Sequence, residues 1–232
     1  MSEIALSGRS GQRLGQIVLD ELKERLLDGK YAAGARISIE ELKAEFGVSK
    51  QPVMDALRRL ESIGIVEIIP QSGCRVAHYS VQEVRDFFSL FASFEGKIAA
   101  AAAGRRTDQQ LAELDMAWRQ IEQLESTPDP TARSRGYRLL NREFHLTIHR
   151  MAHSRIMAEL SERMWDMSDF FIYTVGGVQP LSEALHDRNH DHDVIRDAIR
   201  SKNVEVARAA MESHIVGSLD ILGPHLVTTR GA

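Results

Sequence analysis

The chain has 232 residues, of which 43% are hydrophobic and 27% are charged, an ordinary balance for a globular protein. This length fits one large domain or two small ones, and the composition excludes collagen-like, disordered and disulfide-stapled chains. No stretch is apolar enough to predict a membrane span, and the N-terminal segment lacks the apolar core of a secretory signal. The single cysteine, Cys74, excludes an internal disulfide and a cysteine-rich zinc site. A cytoplasmic protein is the simplest expectation.

The charge of the chain gives no sign of a nucleic-acid partner. The formal net charge is -4 at pH 7, and residues 1–78 carry 11 basic and 11 acidic side chains. A DNA-binding domain usually presents a basic surface. The charge therefore weighs against DNA binding, and any case for it has to come from the pattern of residues.

Hydrophobic periodicity predicts three helices and a hairpin in the first third of the chain. The helices are expected over 14–26, 38–47 and 49–64. A serine at the first position of each of the last two is predicted to cap it. The β-branched run 65–69 and the returning segment 74–78 flank a turn, so they predict two paired strands. Three helices followed by a hairpin is the order of a winged helix-turn-helix.

From residue 80 onward the pattern is helical to the end of the chain. Six helices are predicted near 81–103, 107–125, 132–153, 155–173, 181–201 and 203–222. The change of pattern predicts a winged helix-turn-helix domain over 1–78 and an all-helical domain over 79–232. The expected fold class is mainly α.

The turn between the second and third helices carries the candidate DNA-reading residues. Gly47 allows a sharp turn, and the third helix would enter the major groove with its N-terminus first. Ser49, Lys50 and Gln51 lie at that tip, where lysine donates to guanine or phosphate and glutamine pairs with adenine. The other basic residues assigned to DNA are Arg36, Arg58, Arg59 and, in the hairpin, Arg75. The plainer alternative is a small packing unit whose charges are only solvated.

This segment resembles the winged-helix domain of the GntR family of bacterial transcription regulators. The match runs over 47–53 and continues at Ala56 and Leu57, and further glycines match in the flanking turns. Two residues depart from the family pattern: Lys50 stands where arginine is usual, and Met54 stands where a second DNA-contacting arginine is usual. Lysine keeps the charge without the bidentate fork, and methionine loses both. The resemblance therefore implies DNA binding with an altered operator or reduced affinity.

Three histidines and one amide fall on the inward faces of three predicted helices. Asn141 and His145 lie one turn apart on one helix, His192 lies on a second and His214 on a third. Taken singly, each histidine is more simply a core residue with ordinary hydrogen-bond partners. Together they predict a site for a divalent transition metal, zinc or nickel above all, because neutral imidazoles suit these ions. His149 is expected to turn toward solvent.

The helical part resembles the FCD ligand-binding domain of FadR-type GntR regulators, many of which hold a divalent metal with an acidic residue and three histidines. Asn141 stands where an aspartate is common, so the resemblance implies weaker metal binding. Phe91 stands where an arginine often holds an effector carboxylate, ahead of the family's glutamate at Glu95. The residues predicted to bind the effector are Glu95, Tyr173 and Arg188.

The predicted function is a ligand-responsive transcription regulator. By resemblance it represses transcription, binds double-stranded DNA as a homodimer with recognition helices about 34 Å apart, and responds to a small organic effector such as a carboxylate. Two alternatives stay open at this point. One is a metal-dependent hydrolase with Glu95 as general base, although no nucleophile motif is present and no enzyme activity is expected. The other is an adaptor whose winged helix grips a protein.

Overall fold

The computed structural model describes residues 3–70, 73–175 and 184–226. The described chain forms two compact units, one of residues 3–79 with 169–175 and the other of residues 80–168 with 184–226. The first boundary lies one residue beyond the predicted end at 78. The segment 169–175, which the sequence pattern assigns to the helical domain, groups with the first unit instead.

The first unit has three helices and a three-stranded antiparallel sheet. Its elements are α1 (Glu3–Leu27), β1 (Arg36–Ile37), α2 (Ile39–Phe46), α3 (Lys50–Ile63), β2 (Val66–Ile69) and β3 (Gly73–Val76). The strand order is β1-β3-β2, so β3 is central. The sequence predicts all of these elements except β1. A strand of two residues is too short to show the alternation of apolar and polar residues by which a strand is recognised.

Local signals explain where α2 begins and ends. The Ser38 side chain accepts a hydrogen bond from the Glu41 backbone N–H at 3.2 Å, which caps the first turn. Gly47 ends the helix in the left-handed conformation, with φ of 61°, which favours glycine. This turn sets α3 across α2, and α3 packs its buried face, including Val53 and Leu57, against α1.

The second unit is entirely helical in its described residues. Its elements are α4 (Val81–Arg105), α5 (Asp108–Gln123), a short 3-10 turn, α6 (Pro130–Met151), the first part of α7 (Arg155–Val175), α8 (Leu185–Arg200) and α9 (Val204–Leu226). These helices lie close to the predicted ones. The predicted start of α8 near 181 lies outside the described residues. Capping boxes open α4 and α5, the first formed by Ser80 with Glu83 and the second by Thr107 with Gln110.

Helix α4 is the central element of this unit. It packs along α9 over most of its length and also contacts α6 and α8. The approach to α9 is close because residue 96 is glycine: a Cβ there would stand 2.6 Å from Cγ of Glu212. The three helices that carry the predicted metal ligands, α6, α8 and α9, therefore all contact α4. No helix among the described residues is long and apolar enough to cross a membrane.

Candidate functional sites: a DNA-reading surface and a buried histidine cluster

The tip of α3 has the form that the sequence predicts for a recognition helix. Ser49 is the N-cap residue in extended conformation, and its hydroxyl makes no capping hydrogen bond. Lys50 and Gln51 follow in the first turn, and both are exposed. The start of α3 thus presents a hydroxyl, an ammonium group and an amide to solvent, together with the free backbone N–H groups of a helix N-terminus.

A groove of about 690 Å³ runs between the start of α3 and the hairpin of β2 and β3. Arg36, Lys50 and Met54 all line it. Two carboxylates, Glu40 and Glu41, also line the groove. The local charge is therefore balanced, which agrees with the even count of acidic and basic residues over 1–78.

The other predicted DNA contacts are engaged within their own unit. Arg58 reaches Asp55 at 3.3 Å, and Gln51 donates from Nε2 to the same carboxylate at 2.7 Å. Arg75 pairs with Glu67 at 2.6 Å on the neighbouring strand. Arg59 donates to Oε1 of Gln16 on α1, also at 2.6 Å. Each would have to exchange or share its partner to touch a phosphate.

In the helical unit, His145, His192 and His214 come together from α6, α8 and α9. One nitrogen of each ring lies within 4.8 Å of a nitrogen of both others, and the three side chains are at most 2% exposed. The ring centroids are separated by 4.6 to 5.7 Å. These three residues are called the histidine cluster below. Asn141, one turn before His145, is buried as well.

The histidine cluster contains buried polar atoms without partners. Among the described residues, both ring nitrogens of His145 and of His192 have no hydrogen-bond partner, and neither has Oδ1 of Asn141. Aromatic rings enclose them: Trp165 lies 4.4 Å from the His145 ring centroid, and Phe144 lies 4.5 Å from that of His192. A buried polar atom without a hydrogen-bond partner costs about 1–3 kcal/mol, so these nitrogens and this amide oxygen are candidate ligand atoms.

The electrostatic surroundings keep the imidazoles neutral. Burial lowers the pKa of His145, His192 and His214 well below the ordinary histidine value, and the positive charge of Arg188 lowers each further. Neutral imidazoles with free lone pairs are the form that binds a metal. These two properties fit a divalent transition ion, and the amide oxygen of Asn141 is a fourth candidate ligand.

Arg188 extends from α8 into the edge of the histidine cluster. Its side chain is 4% exposed, and Nη2 lies 2.7 Å from the backbone carbonyl oxygen of His214. The same nitrogen lies 2.8 Å from Nδ1 and 3.0 Å from Nε2 of the His214 ring. Asp191 is its counter-ion, with Oδ2 3.3 Å from Nη1 of Arg188 and 3.2 Å from Nδ1 of His214. Of the three residues predicted to bind an effector, Arg188 is the one in contact with the cluster.

The other two lie elsewhere. The Glu95 carboxylate is fully buried and bonded to Nε2 of His149 at 2.9 Å and to the hydroxyl of Ser161. Tyr173 belongs to the first compact unit. Its backbone carbonyl lies against Gly29, so close that a Cβ added at residue 29 would be 2.8 Å from the oxygen. The roles of Glu95 and Tyr173 in binding an effector stay predictions.

The expectation that His149 faces solvent is wrong, because its side chain is 2% exposed. His149 lies off the apolar stripe of α6, but Ser161 of α7 and Glu95 of α4 cover the adjoining face. One signal was available. A glutamate in the middle of the apolar helix α4 needs a buried partner, and His149 is one of the few residues able to supply it.

Two family models match this chain. The model of the FCD domain covers residues 86–217, and the model described as bacterial regulatory proteins, gntR family, covers residues 14–76. Both resemblances that the motifs predict are thereby confirmed. The first match contains all three residues of the histidine cluster, and the second contains the recognition helix and the hairpin.

Relatives and solved structures agree with these matches. The HTH-type transcriptional repressor GlaR of Escherichia coli is 23% identical over 202 residues, covering 87% of this chain and 92% of the relative. The Uxu operon regulator of Haemophilus influenzae is 28% identical over 226 residues, covering 89% and 79%. The structure of E. coli McbR/YncC is similar in fold, with a TM-score of 0.75 at 24% identity over 91% of this chain and 97% of that one.

Proposed function

We propose, from the premise that this chain belongs to the GntR family of bacterial regulators and carries an FCD domain, that it represses transcription under the control of a small effector. The regulators of this family are DNA-binding proteins, so the chain is a transcription regulator and not an enzyme. The hydrolase and adaptor alternatives are set aside on that ground. Repression is proposed because the names of relatives such as GlaR describe repressors.

The observation that carries the effector part of the proposal is the set of orphaned nitrogens in the histidine cluster. We propose that His145, His192 and His214, with Asn141, hold a zinc or nickel ion. Bound there, the ion would supply a Lewis-acidic site for an oxygen atom of the effector. Arg188 is the proposed partner of a negatively charged group on that effector, because a guanidinium recognises carboxylates. The effector is thus proposed to be a small organic anion.

Operator recognition is proposed to use the tip of α3 and the hairpin. Ser49, Lys50 and Gln51 would read base edges, Arg36 and Arg75 would contact the adjacent backbone, and Arg58 and Arg59 would contact phosphates. A homodimer would present two such helices about 34 Å apart, one turn of DNA, and so read a pseudo-palindrome. The site of action is the cytoplasm, where operator DNA lies. Effector binding would shift the populations of DNA-binding and non-binding forms.

The test begins with selection from a random duplex library by the full chain. We expect enrichment of a two-fold symmetric sequence that binds at least about 10³-fold more tightly than random DNA at the same salt concentration. Binding is measured by fluorescence anisotropy over a series of salt concentrations. Failure to enrich any sequence, with binding that depends only on salt, would overturn operator recognition.

The effector part is tested on the zinc-loaded chain with the selected duplex. A panel of small carboxylates is screened for shifts in thermal stability, and positives are then titrated into the protein–DNA complex. We expect at least one anion to change the DNA affinity by about 5- to 150-fold, the usual range of allosteric coupling. Metal analysis of the purified chain and of the His192→Ala variant shows in parallel whether the histidine cluster holds an ion.

A further inference from the structure

We propose that the guanidinium of Arg188 makes metal binding in the histidine cluster depend on an anion, so that a divalent ion binds weakly alone and tightly together with an anionic ligand. This inference rests on the proposed metal site and concerns its regulation. Asn141, in the position of the family's common aspartate, cannot supply the missing negative charge because its amide is neutral. An ion in this chain would therefore meet three neutral imidazoles, a neutral amide and the Arg188 guanidinium, whose counter-ion is the partly exposed Asp191.

Direct contact is the first reason. Nη2 of Arg188 lies within 3.0 Å of both ring nitrogens of His214. One nitrogen at these distances from both ring nitrogens lies over the face of the imidazole, because an in-plane position would clash with the ring carbon between them. A divalent ion bound to His214 would therefore lie close to a guanidinium and be repelled by it. Movement of Arg188 toward a new acceptor would relieve this repulsion.

Arg188 is also firmly built into the site. Its side chain is 4% exposed, and it is anchored by the carbonyl oxygen of His214 and by Asp191. Residue 217 on the facing helix α9 is a glycine, and a Cβ there would stand only 3.1 Å from Nη1 of Arg188. The absence of a side chain at 217 thus leaves room for the guanidinium. An arginine exposed at the surface would not need this space, so the glycine fits a buried guanidinium.

The balance of charge is the second reason. Three imidazoles and one amide bring no negative charge, and Asp191, whose side chain is 36% exposed, already serves Arg188 and His214. A divalent ion would leave about two uncompensated positive charges in a largely dry site, and burying unpaired charge is expensive. An anion bound between the ion and Arg188 offsets this excess. It also gives the guanidinium the acceptor it needs on leaving the His214 ring.

The first arm of the test measures zinc affinity without added anion, by competition with a chromophoric chelator. It compares the wild-type chain with three variants. Arg188→Gln removes the charge, Arg188→Lys keeps it, and Arg200→Gln removes a charge near the other end of α8, about 18 Å away along the helix. We expect Arg188→Gln to raise zinc affinity roughly 10- to 100-fold, since a unit charge at this range is a strong local effect. Arg188→Lys and Arg200→Gln should stay within about threefold of wild type.

The second arm adds acetate, which binds free zinc only weakly, as the anion. Acetate should raise the zinc affinity of the wild-type chain about tenfold or more, and it should have little effect on Arg188→Gln. If Arg188→Gln does not fold, the acetate dependence of the wild-type chain decides the matter. The proposal is overturned if zinc affinity does not rise in Arg188→Gln, or if acetate does not raise the zinc affinity of the wild-type chain.

Failure of this inference can be told from failure of the metal site itself. If wild type binds zinc, His192→Ala does not, and Arg188→Gln matches wild type, the metal site stands and the role of Arg188 is refuted. If no variant binds zinc with or without acetate, the proposed metal site and this inference both fall.

Discussion

The recognition helix and the histidine cluster satisfy their polar groups in opposite ways. On the exposed side of α3, Gln51 and Arg58 both bind Asp55, and water is available to every remaining group. In the histidine cluster, the nitrogens of His145 and His192 are buried and, among the described residues, without partners. Exposed groups change partners at little cost, so their present contacts say little about what they bind. A buried polar atom without a hydrogen-bond partner is costly, so it indicates a ligand much more strongly than an exposed group does.

The strongest test of this difference is to replace an imidazole that has no hydrogen-bond partner with an apolar side chain. We expect His192→Leu to weaken zinc binding by more than about 100-fold, since a ligand lost outright matters at least as much as one of its supporting contacts. In chelator, the same variant should be as stable as wild type or up to about 3 kcal/mol more stable, because two unsatisfied nitrogens leave the core. Chelator competition and urea unfolding measure the two effects.

His190→Leu is the matched control, because it alters an exposed histidine on the same helix. It should change neither quantity appreciably. A His192→Leu variant that keeps zinc affinity, or that loses several kcal/mol of stability in chelator, would mean that His192 is an ordinary core residue with partners of its own.

The pH dependence of the metal-free chain sharpens the contrast further. The unfolded chain protonates these three histidines near pH 6.5, whereas burial lowers their pKa in the folded protein, so they stay neutral there. The unfolded state then binds more protons at low pH, and stability falls as the pH drops below about 6.5 and is retained above it. Each histidine adds a slope of about 1.4 kcal/mol per pH unit, so the cluster adds about 4.

Urea unfolding in chelator between pH 7.5 and pH 5 gives this slope. His192→Leu should reduce the cluster's contribution by about one third, and His190→Leu should leave it unchanged. A slope that is the same in all three chains would show that the cluster is protonated or solvated in the folded metal-free protein.

The sequence predicts the helices and their inward faces more completely than it predicts the contacts within the sites. Helix periodicity places Asn141, His145, His192 and His214 on inward faces, and the structure brings the three histidines together. It does not predict the burial of His149, because that depends on which helices cover the neighbouring face of α6. The burial of Arg188 is harder still to predict, because it depends on Asp191, on the carbonyl oxygen of His214 and on the space beside Gly217.

The grouping of residues 169–175 with the first unit is a further limit of the pattern. The periodicity of α7 is continuous, so nothing local marks a change of neighbours. The aromatic residues Phe170 and Phe171 make edge contacts with Tyr79, at centroid distances of 6.5 and 5.1 Å. Such contacts across about 90 residues of chain are invisible to a local pattern.

On the recognition helix, effects should be smaller and confined to DNA binding. Lys50→Ala should cost about 1–3 kcal/mol in operator affinity if it reads a base, with relaxed preference at one position. Met54→Arg restores the family's common charge in the groove, so it should tighten binding and steepen the dependence on salt by about one ion. Both are measured by anisotropy on the selected duplex, with folding checked by circular dichroism. A Lys50→Ala variant with unchanged affinity would remove this residue from the reading surface.

The smallest expected effect separates phosphate contact from internal support at Arg59. Its guanidinium is bonded to Gln16 on α1, so Arg59→Ala loses a surface hydrogen bond and should destabilise the fold by less than about 1 kcal/mol. If Arg59 also binds phosphate, the variant weakens binding to all duplexes equally and lowers the salt slope by about one. Gln16→Ala is the control, because it removes the same internal bond and leaves the charge in place. Equal DNA binding by both variants and wild type would assign Arg59 to α1–α3 packing alone.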